Sequence, residues 1–155
     1  MEVRHPRALD HLVLPVVSLD TARRRHEALG FTVAPDARHP FGTENACVFL
    51  ADGTYLEPLA IGHRETCEAA ALTGNMFVMR DQAYRFRNGQ DGFSAIALSS
   101  EDADGDEDLF RKSGISGGDT LTFSRMFDDG KGNKGEASFK LAFAADLRSP
   151  DSFFF

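Results

Sequence analysis

The chain has 155 residues, 42% hydrophobic and 26% charged, which suits one globular domain or two small halves sharing a core. Its formal net charge of -7 argues against non-specific nucleic-acid binding and against adhesion to anionic membranes. No apolar stretch approaches a membrane span, Met1 to Arg7 lack the apolar core of a signal peptide, and Cys47 and Cys67 form no CxxC pair, so the expected setting is reducing and cytoplasmic.

In chain order, a first strand is expected from Leu9 to Val17. A helix follows, with Ser18 as N-cap, Asp20 in its first turn and Gly30 at the C-cap position. Phe31 to Ala34 predicts a second strand that Pro35 limits, and Asn45 to Leu50 a third. Asp52-Gly53 between two apolar runs predicts a hairpin turn into a fourth strand, Tyr55 to Ile61. Gly62 to Asn88 reads as a connecting stretch with some helix. Arg80, Arg85 and Arg87 lie there among Phe77, Tyr84 and Phe86, and in an acidic chain they read as a solvated face rather than a nucleic-acid surface.

The order then repeats. Phe93 to Leu98 predicts a buried strand, and Ser100 to Gly114 a helix with acids early and bases late. Gly30 and Gly114 set an offset near 84 residues. Thr120 to Phe127 and Ala137 to Phe143 alternate as strands around a glycine-rich turn, Asp128 to Gly135, and Ser152 to Phe155 begins an eighth strand. The expected fold class is α+β: paired βαβββ units with curved mixed sheets around a cavity, unit one about 8–62, a connection 63–90 and unit two about 91–155. Phe153 to Phe155 exposed at an end would be an aggregation hazard, so a continuing chain, a further domain or a homodimer partner is expected to complete that strand. Fourteen phenylalanines and no tryptophan suggest plain aromatic surface lining a core or cavity suited to a small ligand.

Two polar residues interrupt apolar strands: His11 within Ala8 to Leu14, and Glu57 within Tyr55 to Ile61. A carboxylate in such a run needs compensation. A metal shared with His11 would supply it, as would an ion pair with Arg38 or Arg125, or a hydrogen bond between His11 and Glu57 themselves. His39, before Pro40, is either a contact at a pocket rim or the mark of a loop entry, and Asn45 either shapes a cavity mouth or bonds at a strand entry. The alternating Asp102, Asp104, Asp106 and Asp108 do not make a calcium loop, because Glu107 and Ser113 stand where glycine and glutamate are required. Gly114 to Gly118 is no dinucleotide motif, Cys47 reads as a small buried hydrophobe, and no Ser-His-Asp arrangement follows from spacing.

The stretches Leu9-Asp10-His11-Leu12-Val13, Ala28-Leu29-Gly30-Phe31, Arg38 to Asn45 and Asp52 to Ala60 resemble glyoxalase-like domains of the vicinal oxygen chelate superfamily, which includes glyoxalase I, extradiol dioxygenases and bleomycin-resistance proteins. The resemblance implies a metal-dependent lyase, isomerase or dioxygenase acting on a small oxygen-bearing molecule. His11 and Glu57 would be ligands to Zn, Ni, Mn or Fe, Glu57 would also accept a proton, and His39, Asn45 and Arg125 would contact substrate. In the second unit Phe93 or Ser94 stands at the first-strand ligand position, which leaves the set short of donors. The alternative is a metal-free binding protein of the bleomycin-resistance type.

Overall fold

The first apolar run forms β1 (Leu9–Pro15), and the Ser18 hydroxyl caps α1 (Leu19–Ala28) by accepting from the Thr21 amide at 3.3 Å. Gly30 ends the helix at φ +93°, as a C-cap glycine does. The computed structural model describes residues 6–90, 92–128, 131–146 and 148–154. The Asp52-Gly53 hairpin forms with Gly53 at φ +89°, and the Asp52 carboxylate accepts from the Thr54 amide at 3.0 Å.

Two expected strands come out differently. Phe31 to Ala34 is reduced to a single bridge, Val33 to Val48. The run Asn45 to Leu50 splits into β3 (Thr43–Asn45) and β4 (Val48–Phe49), both paired with β5 (Tyr55–Ile61). Pro58, in the middle of β5, is the physical cause. Its carbonyl faces this side and accepts from the Ala46 amide at 3.2 Å, but it has no N–H to return, so the ladder breaks opposite it. A short β2 (Ala37–Arg38) pairs with β3 at the sheet edge.

The connection holds two helices, α2 (Arg64–Leu72) and α3 (Met76–Asn88), capped by the side chains of His63 and Asn75. The second unit runs β6 (Ala95–Leu98), α4 (Ala103–Lys112), β7 (Ser116–Asp128), β8 (Lys134–Asp146) and β9 (Ser149–Phe154). Helices α1 and α4 start at Leu19 and Ala103, so the 84-residue offset holds. No helix among the described residues is long and apolar enough to cross a membrane.

The architecture is α+β. Among the described residues the strands form one sheet in the order β2-β3-β5-β1-β6-β9-β8-β7, with β4 on β5. The order is a pseudo-two-fold: each half reads outward from a central strand, with β1 parallel to β5 and β6 parallel to β9, and β1 meets β6 antiparallel at the centre. Pairing of Val13 with Ala95 and of His11 with Ala97 places the symmetry point at Leu12 and Ile96. The sheet curls enough that edge strand β7 packs near β2. Val13, Leu59, Phe41, Phe77, Val78 and Phe143 fill its concave side, and Leu19, Ala46 and Ala60 form a smaller cluster under α1.

Arg87 is exposed, but Arg80 and Arg85 on α3 are not the solvated face expected of them. Arg85 is buried against Asp81 at 2.8 Å and donates to the carbonyls of Val16 at 3.1 Å and Leu59 at 2.8 Å, tying the helix to the ends of β1 and β5. Arg80 donates to the Gly117 carbonyl at 2.9 Å. Removing one partner of a buried pair strands the other charge, so Arg85→Met is expected to cost about 3 kcal/mol in urea denaturation. The double variant Asp81→Asn/Arg85→Met should recover part of that loss, and a double-variant loss equal to the sum of the two single losses would mean the pair is not coupled.

Candidate functional site

Strand register decides which residues can meet. Val13 pairs with Glu57 and His11 with Tyr55 on parallel neighbours, while Asn45 pairs with Leu59 across β3 and β5. Paired and next-but-one residues share a face, so His11, Tyr55, Glu57, Thr43 and Asn45 project to the same concave side. They converge there. His11 Nε2 lies 3.2 Å from Glu57 Oε2, and Asn45 Nδ2 donates to Glu57 Oε1 at 2.6 Å. Glu57 is 5% exposed and His11 8%.

Asp10 joins the cluster, which the sequence pattern hides. Neighbours on a regular strand point to opposite faces. A register shift between Leu9 and His11 breaks that alternation, and Asp10 Oδ2 accepts from His11 Nδ1 at 2.6 Å. Tyr55 stacks on the His11 ring at 4.4 Å, nearly parallel, and its hydroxyl bonds to Asp10. The only signal for these two in the sequence was adjacency to His11 and to the hairpin turn.

The electrostatics follow from this packing. Burial alone would lower the His11 pKa, but Asp10 and Glu57 on its two nitrogens outweigh it and raise it to about 9. Burial would raise Glu57, but His11 and Asn45 hold it down to about 2. The resting state is therefore an imidazolium between two carboxylates. His39 is different. Burial dominates and depresses it to about 4, so it is neutral. Its Nδ1 bonds to Thr43 Oγ1 at 2.8 Å, its ring stacks on Phe41 and meets Phe77 and Phe123 edge-on, and its Nε2 is 3.9 Å from Glu57 Oε1, beyond hydrogen-bond reach.

Gly42 sets this corner. It sits at φ +96°, and a Cβ there would come within 2.7 Å of the His63 carbonyl and 2.9 Å of the Cys67 amide, so only glycine lets the turn carrying His39 and Thr43 dock on α2.

Neither arginine expected beside Glu57 pairs with it. Arg38 is solvent-exposed and faces Glu44 at 3.7 Å. Arg125, on β7, lies with its guanidinium carbon 5.2 Å from the centre of the Phe139 ring. Cys47 is buried and its thiol is pushed up by burial, in keeping with a small core residue.

A cleft of about 400 Å³ opens beside the cluster, lined by Asp10, His11, Tyr55 and Phe139 and, from the second unit, by Ser100 and Asp106. The symmetry shows what the second unit carries at the matching positions. The 84-residue offset matches His11 to Ala95, not to Phe93 or Ser94, and the register of β9 carries the match for Glu57 to Phe155, outside the described residues. Among the described residues no group of three His, Cys, Asp or Glu side chains is gathered to hold a metal ion. As a resident metal centre the donor set does not fit: two protein donors, each already bonded to the other.

The pKa directions predict a stability maximum near pH 6.5. His11, raised above its ordinary 6.5, contributes fully below that pH and loses its contribution as pH rises through about 9. His39, lowered from 6.5, contributes above that pH and loses it as pH falls towards about 4. Melting temperatures from pH 4 to 10 should fall on both sides, with an alkaline limb of order 1–3 kcal/mol. His11→Gln should flatten the alkaline limb, and an unchanged slope in that variant would reject the assignment.

Comparison with known proteins agrees with this fold. The sequence profile of the glyoxalase-like domain family matches residues 9–155. A search of curated proteins found no match. Among solved structures, a hypothetical protein from Staphylococcus aureus aligns with a TM-score of 0.63 at 16% identity over 94% of this chain, which spans 57% of that protein's length. A Streptomyces coelicolor methylmalonyl-CoA epimerase in complex with 2-nitronate-propionyl-CoA aligns with a TM-score of 0.52 at 19% identity, over 84% of this chain and 94% of that one. The Mycobacterium tuberculosis methylmalonyl-CoA epimerase gives 0.53 at 16% identity, over 89% and 88%. At such identities the structures speak for the fold alone. The chain belongs to the glyoxalase-like domain family and has the vicinal oxygen chelate fold.

Proposed function

We propose that the domain binds a small oxygen-bearing molecule in the cleft, without a resident metal, and holds it against Asp10 and Tyr55. The observation that carries this reading is that both nitrogens of His11 are already bonded to the chain's own carboxylates. The His11 imidazolium meets Glu57 on one side and Asp10 on the other, so neither ring nitrogen is open to a metal cation. His11 and Glu57 then form a fixed polar floor. Asp10, half exposed, and the Tyr55 hydroxyl supply hydrogen bonds to the occupant. Asn45, expected from sequence as a ligand contact, acts through Glu57, while His39, expected likewise, is bonded to Thr43 and packed among phenylalanines. A carboxylate held near pKa 2 is a poor general base at neutral pH, which favours binding over proton abstraction by Glu57.

A second reading has its own support. A carboxylate on one imidazole nitrogen, with the other nitrogen 3.2 Å from a second carboxylate, is also the arrangement that orients a histidine towards a metal. In this reading a divalent ion arrives with the ligand, whose oxygens complete its shell, and the domain is a metal-dependent isomerase, lyase or dioxygenase.

Calorimetric titration with Ni, Zn, Mn and Fe salts separates the two. The first reading expects no binding tighter than about micromolar at pH 7, and stabilisation by small hydroxy- and oxo-acids in a thermal-shift screen that persists in chelator. Tight metal binding that His11→Ala abolishes, or ligand stabilisation that chelator removes, would overturn it in favour of the second.

A further inference from the structure

The two cations that line the cleft, Arg7 and Lys140, are held by the chain's own carboxylates, whereas Arg125, which reaches the cleft through the Phe139 ring beneath it, is not. Arg7 forks onto Asp106, and Lys140 reaches Asp104. Arg125 has no carboxylate partner among the described residues. Its Nε is buried with no hydrogen-bond partner, and its Nη1 makes a long contact of 3.3 Å with the Met126 carbonyl. A guanidinium that is seated yet unpaired is unusual, because buried donors are nearly always satisfied.

Its position says what would satisfy it. Phe123 pairs with Phe139 and Arg125 with Ala137, so Arg125 follows Leu121 and Phe123 on the inward-facing side of β7. Phe123 reaches His39 edge-on at 5.5 Å, which places this row against the cluster. Phe139, under the guanidinium, stacks on Phe123 at 5.0 Å and lines the cleft. The Arg125 charge is felt at Tyr55, His39 and Cys47, across the hollow. A planar guanidinium lying on an aromatic face keeps its edge free, and that edge matches a carboxylate. One unpaired cation suits one negative charge.

We propose that Arg125 anchors the carboxylate of a small organic acid bound in the cleft, with the ligand's other polar end directed to Asp10 and Tyr55. The polarity of binding follows, because the Asp10 and Glu57 carboxylates repel an acid group and Arg125 attracts it. This rests on the reading of the cleft as a small-molecule site, and the test separates the two.

Benzoate and its neutral isostere benzamide are titrated into the full chain while the Tyr55 and His11 ring resonances are followed by NMR. Benzoate is expected to move both and to bind about tenfold more tightly than benzamide. In Arg125→Met that preference falls to about one, Arg125→Lys keeps part of it, and Arg24→Gln, an exposed cation on α1, keeps all of it. Equal binding of the two probes by the wild-type chain, or a preference that survives in Arg125→Met, overturns the role of Arg125 and leaves the site intact. If neither probe moves Tyr55 or His11, the cleft reading falls as well. Should both Arg125 variants fail to fold, the wild-type ratio of the two probes decides.

Discussion

A carboxylate at 5% exposure cannot stay ionised unless positive charge and hydrogen bonds meet it, and the arrangement around Glu57 is the answer to that demand. Protonating Glu57 would be the simpler solution. It loses because the Asn45 amide and the His11 imidazolium both stabilise the charged form, at 2.6 Å and 3.2 Å. With the proton on His11, a second carboxylate is tolerated on the far nitrogen, and Asp10 takes that place. The other imidazole nearby, His39, sits among three phenylalanines with Glu57 at 3.9 Å, too far for a hydrogen bond, so burial wins and it stays neutral. Two histidines that look alike in sequence thus hold opposite charge states because their neighbours differ.

The duplicated sheet explains how such a cluster finds room. The two-fold sets β1 against β6, and the residues of β6 opposite His11 and Val13 are Ala97 and Ala95. Alanine at both positions leaves the concave side open where a larger side chain would fill it, and Ala97 lines the cleft. The halves have therefore divided the work. The first supplies the charged floor from β1, β3 and β5, and the second supplies small residues at the centre and an aromatic wall from β7 and β8.

Much of this was legible in the residues. Ser18, Gly30 and Gly114 marked the helices because caps have strict chemistry, and Asp52-Gly53 marked the hairpin because few residues tolerate its backbone. His11 and Glu57 stood out because charge inside an apolar run is rare. What stayed hidden depends on backbone irregularity or on distant pairing. Asp10 required a bulge, the split of the third strand required knowing which side of Pro58 faces it, and the burial of Arg85 required the docking of α3 on the ends of two strands. Arg125 was visible as a candidate partner for Glu57, yet its actual neighbour is the Phe139 ring on the other strand of its own hairpin, and it is aromatic.

The same cluster sets the terms on which a metal would compete. A divalent ion binding at His11 Nε2 must first displace the proton held there, and with the His11 pKa near 9 the nitrogen is free in about one molecule per hundred at pH 7. Apparent metal affinity is reduced by that factor and recovers as pH rises. An organic acid seated on Arg125 would face no such competition, because its negative charge meets a cation that no carboxylate among the described residues holds. At neutral pH the geometry therefore favours an anionic ligand over a bare metal ion, and a metal gains entry chiefly when the ligand brings further donors with it.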